Sequence, residues 1–257
     1  MDTSNPILRA WAEGRTLFGA WATIPSTVTA EVMAREGPDY VCIDNQHGLL
    51  DHSDTVPMLA AVEAGGSVPI VRAPWNDPPR IMAALDAGAF GVIVPMVNDA
   101  AEAHRAAGAC RFPPRGMRSY GPIRARYALG GADPDLLNEI ACIAMVETAG
   151  GLRNLDEIVA TDGIDAVYIG PSDLALGVGK KPGPRPWEDL AEPMAQIRSA
   201  CRSHGVKVGV HALNGEAAAR YAEDGYDMIT VFSDASLLAG AASAHLKTAR
   251  GGARTGG

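Results

Sequence analysis

Several ionisable side chains stand where short apolar runs of the sequence end. Runs of this kind are typical of strands that are buried on both faces of a sheet. The carboxyl ends of parallel strands meet at one edge, so side chains that follow such strands can converge on one site. Five side chains fit this description: Asp44, His47, Arg72, Glu147 and Asp173. His211 also ends such a run, and we interpret it as structural rather than catalytic.

Two of these side chains, Glu147 and Asp173, are carboxylates that neighbouring strands would bring face to face. Two like charges in a buried place favour a cation between them, and oxygen ligands completed by water suit Mg²⁺ or Mn²⁺, with Co²⁺ as a further option. An alternative needs no metal: Glu147 would pair with Arg72 or Arg118, and Asp173 would cap a short helix at DLALG.

His47 and Arg72 could supply the remaining chemistry. Histidine titrates near neutral pH and is the usual general base, although a loop histidine bonded to backbone would look the same in sequence. An arginine at a strand end needs an anionic partner, and a substrate carboxylate would serve. We expect Asp44 to support His47. Asp86 lies within a helical pattern, where its local interpretation is a solvated side chain.

The apolar runs number eight, and Ala-rich stretches with helical spacing alternate with them, as in βαβ units. A single-domain (β/α)8 barrel over residues 1–248 fits this repeat best. The alternative is an open doubly wound sheet, but no GxGxxG follows the first run. The predicted strands are 18–24, 40–44, 68–72, 91–95, 142–147, 166–170, 206–211 and 227–233. The predicted helices are 27–36, 55–64, 79–87, 100–109, 151–161, 187–204, 214–224 and 235–247.

The longest irregular segment, 110–134, carries five arginines. Long loops inside a compact domain are usually functional or disordered. The segment is therefore a lid that draws in an anionic substrate, or a solvated loop, or a loop whose arginines pair with acidic groups of a neighbouring subunit. The arginines are Arg111, Arg115, Arg118, Arg124 and Arg126.

Composition excludes several other classes of protein. The net charge is −8 and no basic cluster alternates with aromatic residues, which argues against nucleic-acid binding. No apolar run approaches the length of a membrane span, and no signal pattern opens the chain. The four scattered cysteines indicate buried thiols in a reducing compartment, so we expect a cytoplasmic protein. Residues 249–257 are rich in Gly and Arg and are predicted to form a disordered tail.

Taken together, the motifs resemble the HpcH/HpaI family of class II, metal-dependent pyruvate aldolases, which includes the 4-hydroxy-2-oxoheptanedioate aldolases. The similarity extends over roughly residues 18–235 and keeps the motifs in order. The set is specific, although each piece alone would be weak. The matching stretches are FGAWATIPS, VCIDNQHG, VPIVRAPWNDP, LDAGAFGVIVPMV, RFPPRGMRS, MVETAGGLRNLDEI and GIDAVYIGPSDLALGVG.

The resemblance implies a site as well as a fold. Glu147 and Asp173 would bind the divalent metal, Mg²⁺, Mn²⁺ or Co²⁺. Arg72 would bind the 2-oxo acid and steady the enolate oxygen. His47 would be the base, acting through water with the help of Asp86.

The resemblance also implies contacts to substrate and to other subunits. Backbone N–H groups of Ser172 and Asp173 would hold the substrate carboxylate, and Trp21 and Leu213 would lie near the pocket. The assembly would be a homo-oligomer, a trimer or a hexamer, in which the last helices are exchanged between subunits.

One residue departs from the family pattern. Gln46 stands before His47, where the family commonly has an acidic residue, and an amide cannot act as a carboxylate partner. The expected reaction is the reversible cleavage of 4-hydroxy-2-oxo acids to pyruvate, or a related 2-oxo acid, and an aldehyde through a metal-stabilised enolate. The alternatives are a lyase of the citrate or malyl-CoA type, whose longer C-terminal region and CoA-binding features are not evident here, and a non-catalytic 2-oxo-acid-binding relative.

Overall fold

The computed structural model describes residues 5–252, and its eight strands form one closed, parallel barrel in chain order. Strand β8 pairs with β1, so the sheet has no edge and the open-sheet alternative is wrong. The predicted strands are confirmed within one or two residues. They are β1 Leu17–Ala22, β2 Tyr40–Asp44, β3 Val68–Arg72, β4 Gly91–Val94, β5 Ala141–Val146, β6 Ala166–Ile169, β7 Lys207–His211 and β8 Met228–Ser233.

Buried tyrosines fill the barrel interior and bond to one hydroxyl. Tyr40 and Tyr168 both make hydrogen bonds with the Thr230 Oγ1, at 2.9 and 2.7 Å, so their polar ends are satisfied inside the apolar core. A Cβ at position 19 would overlap the Tyr40 ring, which is why β1 carries Gly19 there. The pleat of β1 is irregular beside this glycine, where its register with β8 shifts.

Helices cover the outside of the barrel, and most of them match the predicted ranges. The predicted helices 151–161 and 187–204 are each broken in two, and four short helices, at 6–12, 125–128, 134–137 and 171–177, were not among the predicted ranges. The helices are α1 Pro6–Ala12, α2 Thr27–Arg35, α3 His52–Gly65, α4 Pro78–Asp86, α5 Ala100–Cys110, α6 Ala125–Ala128, α7 Pro134–Leu137, α8 Ala149–Arg153, α9 Leu155–Val159, α10 Pro171–Gly177, α11 Pro186–Asp189, α12 Ala191–His204, α13 Gly215–Glu223 and α14 Asp234–Gly252.

The short helix α1 closes the amino-terminal end of the barrel. The Asn5 side chain caps it by accepting from the Ile7 N–H at 3.0 Å, and its amide donates to the carbonyls of Phe90 and Glu139 at 2.7 and 2.8 Å. Both carbonyls lie just before or at the start of a strand. The helix was missed because it is short and no strand precedes it, although Asn-Pro is a helix-start signal.

The arginine-rich segment after α5 also lies at the amino-terminal end. Helices of a (β/α)8 barrel run back from the carboxyl ends of the strands, so a segment between α5 and β5 is at the opposite end from the cavity mouth. A lid over the mouth of the same subunit is therefore wrong. The Arg111 side chain is instead buried on Asp165, with an N–O distance of 3.1 Å.

Arg118 shows most clearly that this segment is structural. Its side chain is fully buried, donates to Asp86 Oδ1 at 2.8 Å and to the Leu137 carbonyl at 3.0 Å, and lies over the Phe112 ring. Arg124 likewise bonds Glu63 and the Ala87 carbonyl. These arginines fix the segment to α3 and α4. Their acidic partners belong to this chain, not to a neighbouring subunit, and Arg118 is not solvated, so neither predicted alternative describes them.

The last helix, α14, stands away from the barrel. Asp234 anchors its start by accepting from the Thr23 N–H and hydroxyl and from the Ile24 N–H, at 2.7–3.0 Å. Residues 235–251 are exposed throughout, including Leu237 and Leu238. The helix continues to Gly252, past the predicted start of a disordered tail at residue 249. Residues 253–257 of that tail lie outside the described residues.

In residues 5–252, every helix is too short or too polar to cross a bilayer.

Replacing Arg118 by alanine should destabilise the protein strongly. The change leaves a cavity beside Phe112 and an unpaired Asp86, so we expect the free energy of unfolding to fall by about 3 kcal/mol. Urea unfolding followed by circular dichroism measures this loss. Arg35→Ala, which removes an exposed ion pair within α2, is the control and should cost less than about 0.5 kcal/mol. Equal losses in the two variants would contradict the structural role of Arg118.

Candidate active site

A cavity of about 170 Å³ opens at the carboxyl-terminal end of the barrel. It brings together six of the residues predicted from the sequence, which come from the ends of five different strands. Their convergence is the arrangement in which barrel enzymes place reacting groups. The lining residues are Trp21, His47, Arg72, Met145, Glu147, Gly170, Pro171, Ser172, Asp173 and His211.

Arg72 is held at the cavity by a buried, bidentate ion pair with Asp44. Its Nε donates to Asp44 Oδ1 at 2.8 Å and its Nη2 to Oδ2 at 2.5 Å. The Trp21 indole N–H donates to the same Oδ2 at 3.0 Å. Burial by itself would raise the pKa of Asp44, but the hydrogen bonds and charge of Arg72 outweigh it and lower that pKa. Arg72 thus has Asp44 as its carboxylate partner, where the sequence suggested a substrate carboxylate or Glu147.

Asp44 also shapes the turn that carries His47. Its Oδ1 accepts from the backbone N–H groups of Gln46 and His47, at 3.0 and 3.2 Å, which closes an Asx-type turn directly after β2. The His47 side chain is exposed at the mouth of the cavity. Among residues 5–252, no donor reaches the buried Oε1 of Gln46. Asp44 therefore positions both Arg72 and His47, as its predicted supporting role requires.

Glu147 is a buried carboxylate at the end of β5. It is 1% exposed, and its Oε1 accepts from the Met96 N–H at 3.0 Å. Burial, together with the charge of Asp173, raises the pKa of Glu147 to about 7 against the opposing effects of the Met96 N–H and the charge of Arg72. The predicted pairing with Arg118 is wrong, because Arg118 lies at the other end of the barrel on Asp86.

Asp173 lies in the first turn of α10, close enough to Glu147 to affect the pKa of that residue. The helix begins at Pro171, its N-cap residue is Gly170 and no side chain caps it, so the alternative in which Asp173 caps a helix at DLALG is wrong. In the described part of the chain its carboxylate has no hydrogen bond or ion pair. Its oxygens are therefore available to a ligand.

The two carboxylates fit a divalent cation held in part by substrate. No group of three or more His, Cys, Asp or Glu side chains is gathered anywhere within residues 5–252. Mg²⁺ and ions of similar preference are commonly bound by one or two carboxylates, with water and substrate oxygens in the other positions. Glu147 and Asp173 supply that number of oxygen ligands, and their mutual repulsion would be relieved by a cation.

His211 is a cavity residue that the sequence analysis set aside. Burial, with the charge of Arg72, lowers its pKa to about 4, so the imidazole is neutral at pH 7. It packs edge-on against the Trp21 ring with 5.2 Å between centroids. The position of His211 at the end of β7 indicated that the residue could lie at the site. The direction of its side chain into the cavity depends on packing in the folded barrel.

Two further predicted residues lie outside this cavity. Leu213 is about half exposed and lines an adjoining cavity, which shares Pro171, Ser172 and His211 with the first. Asp86 is the last residue of α4, at the amino-terminal end of the barrel, where it binds Arg118. The structure does not bring Asp86 to His47 within one subunit.

Comparison with known proteins identifies the family. The family model described as HpcH/HpaI aldolase/citrate lyase matches residues 17–241. The chain is 40% identical to a hydroxypyruvate/pyruvate aldolase of Rhizorhabdus wittichii over 96% of this chain and 99% of that protein. It is 35% identical to a 4-hydroxy-2-oxo-heptane-1,7-dioate aldolase of Shigella flexneri over 93% of this chain and 91% of that protein.

A solved structure agrees with the sequence comparisons. An HpcH/HpaI aldolase/citrate lyase family protein from Burkholderia cenocepacia superposes with a TM-score of 0.86 at 32% identity, covering 96% of this chain and 99% of that one. The match spans the whole barrel, including the strands that carry the cavity residues. The chain therefore belongs to the HpcH/HpaI aldolase/citrate lyase family.

Proposed function

We propose that this protein is a divalent-metal-dependent pyruvate aldolase that reversibly cleaves 4-hydroxy-2-oxo acids to pyruvate, or a related 2-oxo acid, and an aldehyde. The observation that carries the proposal is the single cavity in which the carboxylates of Glu147 and Asp173 face Arg72 and His47. The names of the relatives, hydroxypyruvate/pyruvate aldolase and 4-hydroxy-2-oxo-heptane-1,7-dioate aldolase, support the reaction class.

Glu147 and Asp173 would hold Mg²⁺, Mn²⁺ or Co²⁺. The ion supplies Lewis-acid polarisation of the 2-oxo group, which makes the neighbouring C–H more acidic. Glu147 must be ionised to ligate, and its pKa of about 7 leaves it ionised in a large share of molecules at neutral pH. The rest of the chemistry belongs to side chains that move a proton and stabilise developing negative charge.

Arg72 is placed to stabilise the negative charge on the substrate. Asp44 engages its Nε and Nη2, so the guanidinium is rigid and Nη1 is the nitrogen that these bonds leave to a ligand. Preorganised cationic donors of this kind lower the barrier because they need no reorientation during the reaction. His47, exposed at the mouth, would accept the proton from the C4 hydroxyl through water in cleavage and deliver it to C3 of the resulting enolate. In condensation it would take the C3 proton of the 2-oxo acid and deliver it to the C4 alkoxide.

The remaining predicted residues would orient the substrate. Helix α10 begins at Pro171, so the N–H groups of Ser172 and Asp173 have no partner within the helix and suit a substrate carboxylate. Trp21 forms the apolar wall beside Arg72, whose guanidinium carbon lies 5.0 Å from the ring centroid. Leu213 would contact the aldehyde portion from the adjoining cavity.

Two other functions remain to be separated from this one by experiment. A citrate or malyl-CoA type of lyase would use the same carboxylate pair but needs room for CoA. A non-catalytic 2-oxo-acid-binding protein is suggested by Gln46, whose amide replaces the acidic residue common in the family. The presence of Glu147, Asp173, Arg72 and His47 around one cavity favours catalysis.

We also propose that the protein works as a homo-oligomer, a trimer or a hexamer. Helix α14 exposes Leu237, Leu238 and Leu246 and covers no part of its own barrel core, as expected of a helix exchanged between subunits. The four cysteine thiols are free, which suits the reducing cytoplasm.

Cleavage assays on a panel of 4-hydroxy-2-oxo acids test the reaction. Pyruvate release, coupled to lactate dehydrogenase and NADH, should stop in EDTA and return with Mg²⁺, Mn²⁺ or Co²⁺. Glu147→Gln should lower the rate by about a thousandfold, because the cation and its charge stabilisation are lost. Glu157→Gln, an exposed change on α9, is the matched control and should leave the rate unaltered. Absence of metal-dependent pyruvate release across the panel would contradict the proposed function.

In the metal-free protein, ionisation of Glu147 should lower the free energy of unfolding. Its pKa is about 7 in the fold and about 4.3 in an unfolded chain. The free energy of unfolding therefore falls as the pH rises from about 4.3 to about 7, and below pH 4 Glu147 is protonated in both states and has no such effect. Glu147→Gln should raise the free energy of unfolding at pH 8 by on the order of 3 kcal/mol and have little effect at pH 4. Chemical unfolding in EDTA at both pH values measures this, and an equal effect at both would contradict it.

Exchange of the pyruvate methyl protons in D₂O separates the roles of Asp86 and His47. Asp86→Asn removes an ion pair at the far end of the barrel, so it should lower the melting temperature and change the exchange rate less than about twofold. His47→Gln should slow exchange by about a hundredfold if His47 is the base. A hundredfold loss in folded Asp86→Asn protein would return Asp86 to the catalytic set. The exchange is followed by ¹H NMR and needs no aldehyde.

A further inference from the structure

Met96 has an unusual backbone conformation beside the metal-binding carboxylate proposed above. It lies two residues after the end of β4, and its φ of +58° makes it the one non-glycine residue with positive φ in the described part of the chain. Side chains rarely adopt this conformation because of its steric cost, and such residues often mark functional sites. The conformation directs the Met96 N–H to Glu147 Oε1 at 3.0 Å.

Asn98 holds this turn in place from its other side. Its amide nitrogen donates to the Met96 carbonyl at 2.6 Å and to Glu102 Oε2 at 3.0 Å. Its amide oxygen accepts from the hydroxyl of Thr148, the residue after Glu147. Asn98 therefore connects the turn after β4 to the segment after β5.

Within residues 5–252, no donor bonds the other oxygen of Glu147, which lies against Gly170. A Cβ at position 170 would overlap Glu147 Oε2, so the glycine leaves this oxygen the space it occupies. Gly170 lines the cavity as well. One carboxylate oxygen is thus fixed by the Met96 N–H, and the second is left for a ligand.

We infer that the turn formed by Met96 and Asn98 is a positioning device for a divalent cation: Asn98 holds Met96 at positive φ, and the Met96 N–H fixes Glu147 in the orientation that ligates. The inference rests on the proposed metal-dependent function. Neither residue lines the cavity, so both would act through Glu147. Partners of this kind orient the ligands of a metal site, and their loss commonly weakens metal binding by about 10- to 100-fold.

Binding of Mn²⁺ measured by isothermal titration calorimetry tests the inference. Asn98→Ala should weaken the affinity by about tenfold or more. Asn76→Ala is the matched control: Asn76 is a buried asparagine whose amide donates to the Glu102 carbonyl at 2.8 Å but does not contact Met96. It should bind Mn²⁺ within twofold of the unaltered protein. Circular dichroism verifies that each variant is folded.

Two changes at Met96 test the same point without removing Asn98. Glycine tolerates positive φ and keeps the N–H, so Met96→Gly should retain the affinity for Mn²⁺. Valine is β-branched and resists this conformation, so Met96→Val should weaken the affinity by about tenfold or more. Folded Asn98→Ala or Met96→Val protein with unaltered affinity would overturn the inference. Failure of the unaltered protein to bind Mn²⁺ would instead overturn the proposed function, and this inference with it.

Discussion

The buried ion pair between Asp44 and Arg72 is the interaction on which the rest of the site depends. The two residues are register partners on β2 and β3, so the barrel itself sets them side by side. Removing two charges from water costs several kcal/mol each, and only good geometry with additional hydrogen bonds offsets that cost. Asp44 meets this condition by accepting from Arg72, Trp21 and two backbone N–H groups. The same bonds orient the arginine and the turn that carries His47.

The carboxylates across the cavity, those of Glu147 and Asp173, have few partners in comparison with Asp44. In the part of the chain that the structure describes, Glu147 has one backbone donor and no cationic partner within 4.0 Å, and Asp173 adds a second negative charge nearby. A carboxyl in such a place is destabilised when ionised, which is the reason for its pKa of about 7. Sites that bind ligands commonly hold such unfavourable arrangements at some cost in stability. The cavity therefore has one fixed guanidinium, that of Arg72, and two carboxylates whose negative charge the proposed divalent cation would neutralise.

Stability and chemistry are separated between the two ends of the barrel. At the amino-terminal end, α1 and the arginines after α5 stabilise the fold by binding carbonyls and carboxylates. At the carboxyl-terminal end, short turns bring together side chains from several strands. A barrel permits this division because every strand and helix has one end in each place. Arg118 and Arg72 look alike in the sequence, and only the direction of the chain at each position assigns them to different ends.

The sequence by itself determined the eight strands, most of the helices, and the set Asp44, His47, Arg72, Glu147 and Asp173. These follow from local rules: continuous apolar runs mark strands buried on both faces, and chemistry follows their carboxyl ends. The tertiary structure alone decided which partner each charge takes. In the folded barrel Arg72 pairs with Asp44, and Asp86 pairs with Arg118. His211 lines the cavity, and Met96 has positive φ and donates its N–H to Glu147. Spacing along the chain could not reveal these outcomes, because each depends on side-chain distances between elements that are remote in sequence.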